Sequence, residues 1–271
     1  MPELPEVETV VRELGRKLKG RSINDVRVLY PGVIEFPSVK EFVKRLKNKK
    51  IKDVARRGKL IIINLHGGDY LLVHLKMTGQ LVFNQEPHKH TRVIFKIGKD
   101  SLNYNDLRKF GFLLLTDEKG LDEILNQRFR FGPEPLMKEF TFDYLYEKIR
   151  GRSTPIKSLL LDQRILAGIG NIYADEALFL AKIRPLRKAR SLNRAEVKSL
   201  HRAIKKVLAL AVKHGGSSSR NYVRTNGAEG TFHKLHNVYQ RHGLPCKVCG
   251  RPLQRIVLGG RGTHYCLKCQ K

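Results

Sequence analysis

The chain has 271 residues, 41% of them hydrophobic, enough for two domains with real cores or for one domain and an appendage. It carries 53 Lys and Arg against 25 Asp and Glu, a formal net charge of +28; Ala181–Lys271 alone holds 21 bases against two acids, Glu196 and Glu229, a net of +19. No apolar run approaches the ~18 residues of a membrane span, and acids stand where a signal peptide carries bases. A field of this sign suits a polyanion, nucleic acid ahead of a ribosomal or membrane surface.

The chain opens MPELPEVETV. Behind it Val7, Val10, Val11, Leu14 and Leu18 recur at helical spacing, and Gly20 ends the run. From about Asn24 to Thr116 the texture is β: KLIIINL, DYLLVHL, RVIFKI and GFLLLT are short apolar runs parted by Gly, Asp and Asn. This pattern predicts a two-layer β-sandwich with the first helix against it. FGPEPLM, residues 131–137, marks a domain boundary with two prolines and a glycine. Helical patterning follows from about Phe140 to Gly216. Asn193 and Glu196 form a capping-box start for a helix faced by Val197, Leu200, Ile204, Val207, Leu208 and Ala211. AGIGNIYADE lacks the third glycine of a dinucleotide loop; it reads as a tight turn into a helix near Asn171, whose free amides suit a phosphate. Residues 215–230 read as a flexible polar loop.

All four cysteines lie in the last 26 residues, as two C-x2-C pairs, Cys246/Cys249 and Cys266/Cys269, sixteen residues apart. That spacing fits one structural Zn2+ on two knuckles; two disulfides and a rubredoxin-type iron site are the alternatives, and the missing export signal argues against disulfides. Four thiolates leave no coordination position for catalysis. The metal therefore shapes the hairpin RPLQRIVLGGRGTHY, on which Gly259, Gly260 and Gly262 around Arg261 let backbone approach a phosphate.

The opening stretch admits two readings. Pro and Glu at a helix start are ordinary N-terminal signals. Yet removal of Met1 would make Pro2 a free secondary amine, able to attack an electrophilic carbon and collapse to an iminium ion, with Glu3 placed to move protons.

The motifs MPELPEVETV, ARRGKLIIINL, HLKMTGQL, NDLRKFG, GPEPL, LLLDQRILAGIGNIYADEALF, HGGSSSRNYV and CKVCG…GGRGTHYCLKCQ occur in that order, from the first residue to the last. Together they resemble the bacterial formamidopyrimidine-DNA glycosylase family. Endonuclease VIII-type relatives carry glycine where this chain has Leu4, so PELPEVETV favours the purine-directed branch.

The resemblance implies an α+β fold: an N-terminal helix plus two-layer β-sandwich (1–131), a linker (132–137), an all-helical helix–two-turn–helix domain (138–235) with a lesion loop at 215–230, and a C-terminal four-cysteine zinc-finger β-hairpin (236–271). It implies a base-excision repair enzyme, both glycosylase and abasic-site lyase, that removes 8-oxoguanine and formamidopyrimidines opposite cytosine in double-stranded DNA. The enzyme is expected to be a cytoplasmic, nucleoid-associated monomer without membrane attachment. By the same resemblance Pro2 is the nucleophile, Glu3 the acid/base, Lys59 the lysine beside the lesion and Glu6 a pocket residue. On its own residue type Lys59 reads as a solvated strand-end lysine. Met77, Arg108 and Phe110 match the wedge that fills the emptied stack, with Asp106 bracing Arg108. His74, His90, Lys157, Asn171 and Arg261 match DNA-backbone contacts. The family often has K-H-x-H before the V-x-F strand; here Arg92 replaces the second histidine and is expected to bind phosphate with less pH dependence. Ser218 to Tyr222 are assigned to base reading.

Overall fold

The computed structural model describes residues 1–218 and 221–271, and its chain separates into two compact units, Met1–Phe129 with His214–Thr231, and Arg130–Lys213 with Phe232–Lys271. Helix α1 (Leu4–Leu18) opens the first unit with Glu3 at its N-cap; the Glu3 N–H donates to Glu6 Oε2 at 2.7 Å. Strands β1 (Ser22–Ile23), β2 (Asp25–Val28) and β3 (Ile34–Phe36) come next, then helix α2 (Val39–Leu46), capped by Ser38. The β region continues as β4 (Lys49–Arg57), β5 (Leu60–Leu65), β6 (Tyr70–His74), β7 (Gly79–Phe83), β8 (Thr91–Ile97), β9 (Asp100–Asp106) and β10 (Phe112–Thr116).

These strands form two sheets, β1-β4-β5-β6-β10-β3 and β2-β8-β9-β7. Every pairing is antiparallel except β10 with β3. The sheets enclose one core. Ile61, Ile63, Leu71, Val73, Leu113 and Leu115 face it from the larger sheet, and Leu81, Val93, Phe95, Leu102 and Tyr104 from the smaller. The apolar stripe Val7, Val10, Val11, Leu14 and Leu18 of α1 closes the layer, as its spacing requires.

KLIIINL is apolar without alternation because both faces of its strand are covered. Leu60, Ile62, Leu72, Phe112 and Leu114 point outward from the larger sheet, beneath Leu121, Ile124, Leu125 and Phe129. Those covering residues come from helix α3 (Glu118–Glu123), capped by Asp117, and the wide turn Ile124–Phe129. The sequence reading assigns no element there; six helical residues leave too short a periodicity to detect.

The second unit contains α4 (Phe142–Ile149), α5 (Ile156–Leu161), α6 (Asn171–Leu180), α7 (Arg194–Lys213) and the hairpin β11 (Gln254–Leu258) and β12 (Arg261–Tyr265). The Asn193–Glu196 capping box is reciprocal, each side chain accepting the other's N–H at 2.9 Å. The expected apolar face of α7 packs with Ile172, Tyr173, Ala174, Ala177 and Leu178 of α6. Helix α6 is buried on every side from Ile172 to Phe179, Asp175 and Glu176 included.

The segment expected as a loop of the second domain groups instead with the first unit. The cause is local. Glu6 Oε1 accepts the Ser217 N–H at 2.7 Å, Glu13 holds Arg224 and Thr225, and Tyr222 enters the sandwich core.

Candidate active site and nucleic-acid interface

Pro2, Glu3 and Glu6 are all buried at the head of α1, with Glu3 and Glu6 2% and 1% exposed. Glu6 is a hub: besides the Glu3 and Ser217 N–H groups, its carbonyl accepts the Tyr222 hydroxyl at 3.4 Å. Gly216 has φ +80°, and a Cβ there would lie 2.7 Å from Glu6 Oε1, so only glycine lets the backbone approach this carboxylate.

Lys59 follows Gly58 in the turn between β4 and β5 and is 8% exposed, which excludes a solvated strand-end lysine. Arg56, which the sequence reading passes over, braces this turn. Its Nε donates to Glu8 Oε2 on α1 (2.8 Å) and its Nη1 to the Gly58 carbonyl (3.0 Å), so one buried guanidinium ties the lysine turn to the helix bearing Pro2.

Met77, Arg108 and Phe110 gather at one end of the smaller sheet, where Gly79 of β7 pairs with Asp106 of β9. All three are exposed, Met77 by 37% and Phe110 by 55%, and the Arg108 guanidinium lies 4.5 Å from the Phe110 ring centre. Asp106 braces the turn through backbone, not through the guanidinium. Its carboxylate accepts the N–H of Arg108 (3.2 Å), the N–H of Gly111 (2.8 Å) and the Thr78 hydroxyl. His90 is half-buried, and desolvation, then the charges of Lys89 and Arg92, lower its pKa.

Arg92 departs from expectation. It is 8% exposed; its Nε donates to the Asp106 carbonyl (2.9 Å) and its Nη1 to the Lys89 carbonyl (3.2 Å). The guanidinium is committed inside the unit, where it holds the strand end that leads to Arg108 rather than reaching a phosphate. Tyr222 departs as well. It is 6% exposed and packs in the core, so it anchors its segment and does not face a base. Ser218 Oγ accepts the Gly230 N–H at 2.8 Å; Ser219 and Arg220, the remaining polar positions of that stretch, lie outside the described residues.

His74 is 9% exposed between the rings of Phe112 (5.5 Å) and Phe129 (6.2 Å), and its Nδ1 accepts the Lys76 N–H. Burial, then the charges of Lys76, Lys59 and Arg128, push its pKa down to about 3. The unfolded chain binds a proton here below its ordinary pKa of 6.5, and the folded protein does not. Stability from this group is complete above that pH and is lost as pH falls toward 3. His74→Gln should flatten the acid loss by up to about 1.4 kcal/mol per pH unit, read as denaturant midpoints at about pH 7 and about pH 4.5. Parallel midpoints in variant and parent would contradict it.

In the second unit Lys157 is fully buried, its Nζ 2.7 Å from Asp175 Oδ1 and donating to Thr263 Oγ1 (2.7 Å) and the Gly262 carbonyl (3.2 Å). The expected side-chain contact with a phosphate is therefore not available to it. Asn171 Nδ2 donates to the same Gly262 carbonyl at 2.9 Å. Asp175 also accepts the His264 N–H (2.9 Å). Together these bolt α6 to β12. The bolt presents Arg261, which is exposed directly after the turn glycines Gly259 and Gly260 (φ +55° and +71°). Sequence reasoning missed Asp175 because α6 shows no amphipathic contrast. Glu176 escaped it for the same reason; its carboxylate caps the N–H groups of Asn237, Val238 and Tyr239.

The four cysteine sulfurs lie within 4.8 Å of one another, with 3.9 Å from Cys246 to Cys269 and 3.5 Å from Cys249 to Cys266. A tetrahedron with Zn–S near 2.3 Å needs S···S separations of about 3.8 Å, so the donor set fits one zinc ion and no disulfide. Cys249→Ser should strip the metal and loosen the hairpin while the sandwich stays folded. Metal analysis and DNA affinity check this, and unchanged affinity in a zinc-free variant would refute the shaping role.

The chain is similar to known proteins along its whole length. The profile of the formamidopyrimidine-DNA glycosylase N-terminal domain matches residues 1–113, that of the family's H2TH domain residues 131–223, and a zinc finger found in FPG and IleRS residues 243–271. A formamidopyrimidine-DNA glycosylase of Pelotomaculum thermopropionicum is 44% identical, covering 100% of this chain and 99% of its own. Among solved structures, a Lactococcus lactis FPG mutant bound to a Fapy-dG containing DNA aligns with TM-score 0.93 at 36% identity over 100% of both chains. The MutM (FPG) protein of Thermus thermophilus aligns with TM-score 0.90 at 42% identity over 99% of this chain and 98% of that one. Matched by the family's models over most of its length and 44% identical to a curated member along its whole length, the chain belongs to the formamidopyrimidine-DNA glycosylase family.

Proposed function

We propose that this protein is a bifunctional DNA glycosylase and abasic-site lyase of base-excision repair, acting on 8-oxoguanine and formamidopyrimidines opposite cytosine. One observation carries the reading: Pro2 stands beside the buried Glu3 and Glu6 at the head of α1. Removal of Met1 frees the Pro2 nitrogen, and the positive end of the helix dipole disfavours its protonation. The damaged nucleotide must leave the stack to be reached. The nitrogen then bonds to C1′ as the bond from C1′ to the base breaks, the electron pair leaving with the base, which takes up a proton. Glu3 takes the proton that the attacking nitrogen gives up and delivers it to the sugar ring oxygen; the nitrogen lone pair forms the iminium as the bond from C1′ to that oxygen breaks. Loss of a C2′ proton from the iminium expels the 3′ phosphate, and a second elimination expels the 5′ phosphate. Water releases the sugar remnant and restores the amine.

The other residues serve binding. Met77 and Phe110 plug the vacated stack. The planar fork of Arg108 bonds the edge of the orphaned cytosine. Lys59, His90 and Arg261 meet the phosphate backbone, and Lys59 also assists proton transfer. The segment His214–Thr231 faces the extruded base. Zinc keeps the hairpin in shape. No helix among the described residues is long and apolar enough to cross a membrane. The protein acts as a cytoplasmic monomer on nucleoid DNA.

Borohydride reduction of a protein–DNA mixture tests the reading. A covalent adduct on 8-oxoguanine opposite cytosine supports it. Preferential trapping on thymine glycol would point to oxidised pyrimidines, and binding without any adduct would leave a non-catalytic DNA-binding protein. Arg261→Ala should weaken binding and lower the slope of log affinity against log salt by about one. An unaltered slope removes Arg261 from the phosphate contacts.

A further inference from the structure

Glu13 lies on α1 seven residues after Glu6, and two helical turns return it to nearly the same face. It is 7% exposed. Among the described residues, three hydrogen bonds reach its carboxylate, all from the segment His214–Thr231. Oε1 accepts from Arg224 Nε (2.6 Å); Oε2 accepts from the Thr225 N–H (2.9 Å) and from Thr225 Oγ1 (2.8 Å).

Thr225 is fully buried, its hydroxyl also accepting from Lys17 Nζ (3.3 Å) and its carbonyl from the Phe83 N–H (2.8 Å). Arg224 and Ala228 close a turn around this residue, with the Arg224 N–H donating to the Ala228 carbonyl at 2.8 Å. The other arm of the segment is held by Glu6 through Ser217. Two carboxylates on one helix therefore clamp the two arms, one beside Pro2 and one two turns away. A buried carboxylate with three donors is a stiff attachment, since an unpaired one would bear the full desolvation cost.

We propose that Glu13 is a positioning residue for base excision: it fixes the Arg224–Ala228 arm on α1 and so sets where the segment stands against an extruded base. This rests on the reading that His214–Thr231 faces that base. Glu13 then matters while a base is present and is dispensable once the base has gone. A purely structural role would weaken both steps alike.

The test uses the full-length zinc-loaded protein in single-turnover assays on two duplexes, one with 8-oxoguanine opposite cytosine and one with an abasic site opposite cytosine. Glu13→Ala should lower base excision about tenfold or more and leave abasic-site cleavage within about twofold. Thr225→Val, which keeps the N–H donor and loses the hydroxyl, should shift the same ratio in the same direction by less. Abasic-site cleavage reports in the same sample that each variant is folded. Equal losses on both duplexes, or excision at the parent rate, overturn the proposal. If Glu13→Ala does not fold, Thr225→Val is judged by the same ratio. A parent protein that cleaves the abasic duplex but excises no oxidised purine refutes the proposed function instead, before Glu13 is in question.

Discussion

Keeping residue 2 in an amide, by an N-terminal extension that is not removed, should abolish the borohydride-trapped adduct and lower strand cleavage by about 10³-fold or more. The proposed reaction passes through a bond between the Pro2 nitrogen and the sugar, and an amide nitrogen has no free lone pair to form it. Residual turnover would come from binding and from Glu3 alone. Pro2→Gly should fall in the same direction, because glycine keeps an amine but loses the ring that limits its freedom. Gel analysis of reduced complexes, with the N-terminus checked by mass spectrometry, measures both. A blocked chain that excises lesions at the parent rate would remove Pro2 from the mechanism, whatever the rest of the fold resembles.

Asp175→Ala should destabilise the second unit by about 3–5 kcal/mol, because it leaves the Lys157 ammonium buried without its counter-charge. Both side chains are fully buried, so solvent screening does not soften the loss. The same substitution removes the acceptor of the His264 N–H and loosens β12 on α6, where only the Asn171 link to Gly262 is retained among the hydrogen bonds described above. DNA affinity should fall with stability, since Arg261 sits on the loosened hairpin. Replacing both partners, Lys157→Met with Asp175→Leu, should restore most of the stability, because no uncompensated charge remains. Denaturant midpoints for the three variants measure the effect. A single variant within about 0.5 kcal/mol of the parent would show that the pair contributes little.

Much of the candidate site is legible before any fold is known. The metal site is local: two C-x2-C turns bring their own ligands together, and spacing alone predicts the cluster. The capping box at Asn193–Glu196 is equally local, a contact between residues three apart. Periodicity predicts the inner face of α1 and the apolar face of α7 because one side of each meets a core.

What the sequence by itself determined, then, is the set of elements and the short-range chemistry: the N-terminal proline and carboxylates, the β-rich first half, the helical second half and the four-thiolate hairpin. Only the tertiary structure decided which charged groups face outward. Arg92, Lys157 and Arg108 share a charge sign, yet two are committed to internal carbonyls and a carboxylate while the third stands exposed. Nothing in residue type separates them, because desolvation and pairing depend on neighbours far away in the chain. The same holds for Tyr222, drawn into a core built from strands more than a hundred residues earlier, and for Glu13, whose partners lie more than two hundred residues away. Contacts of that range are made by sheet order and packing, which no local pattern encodes.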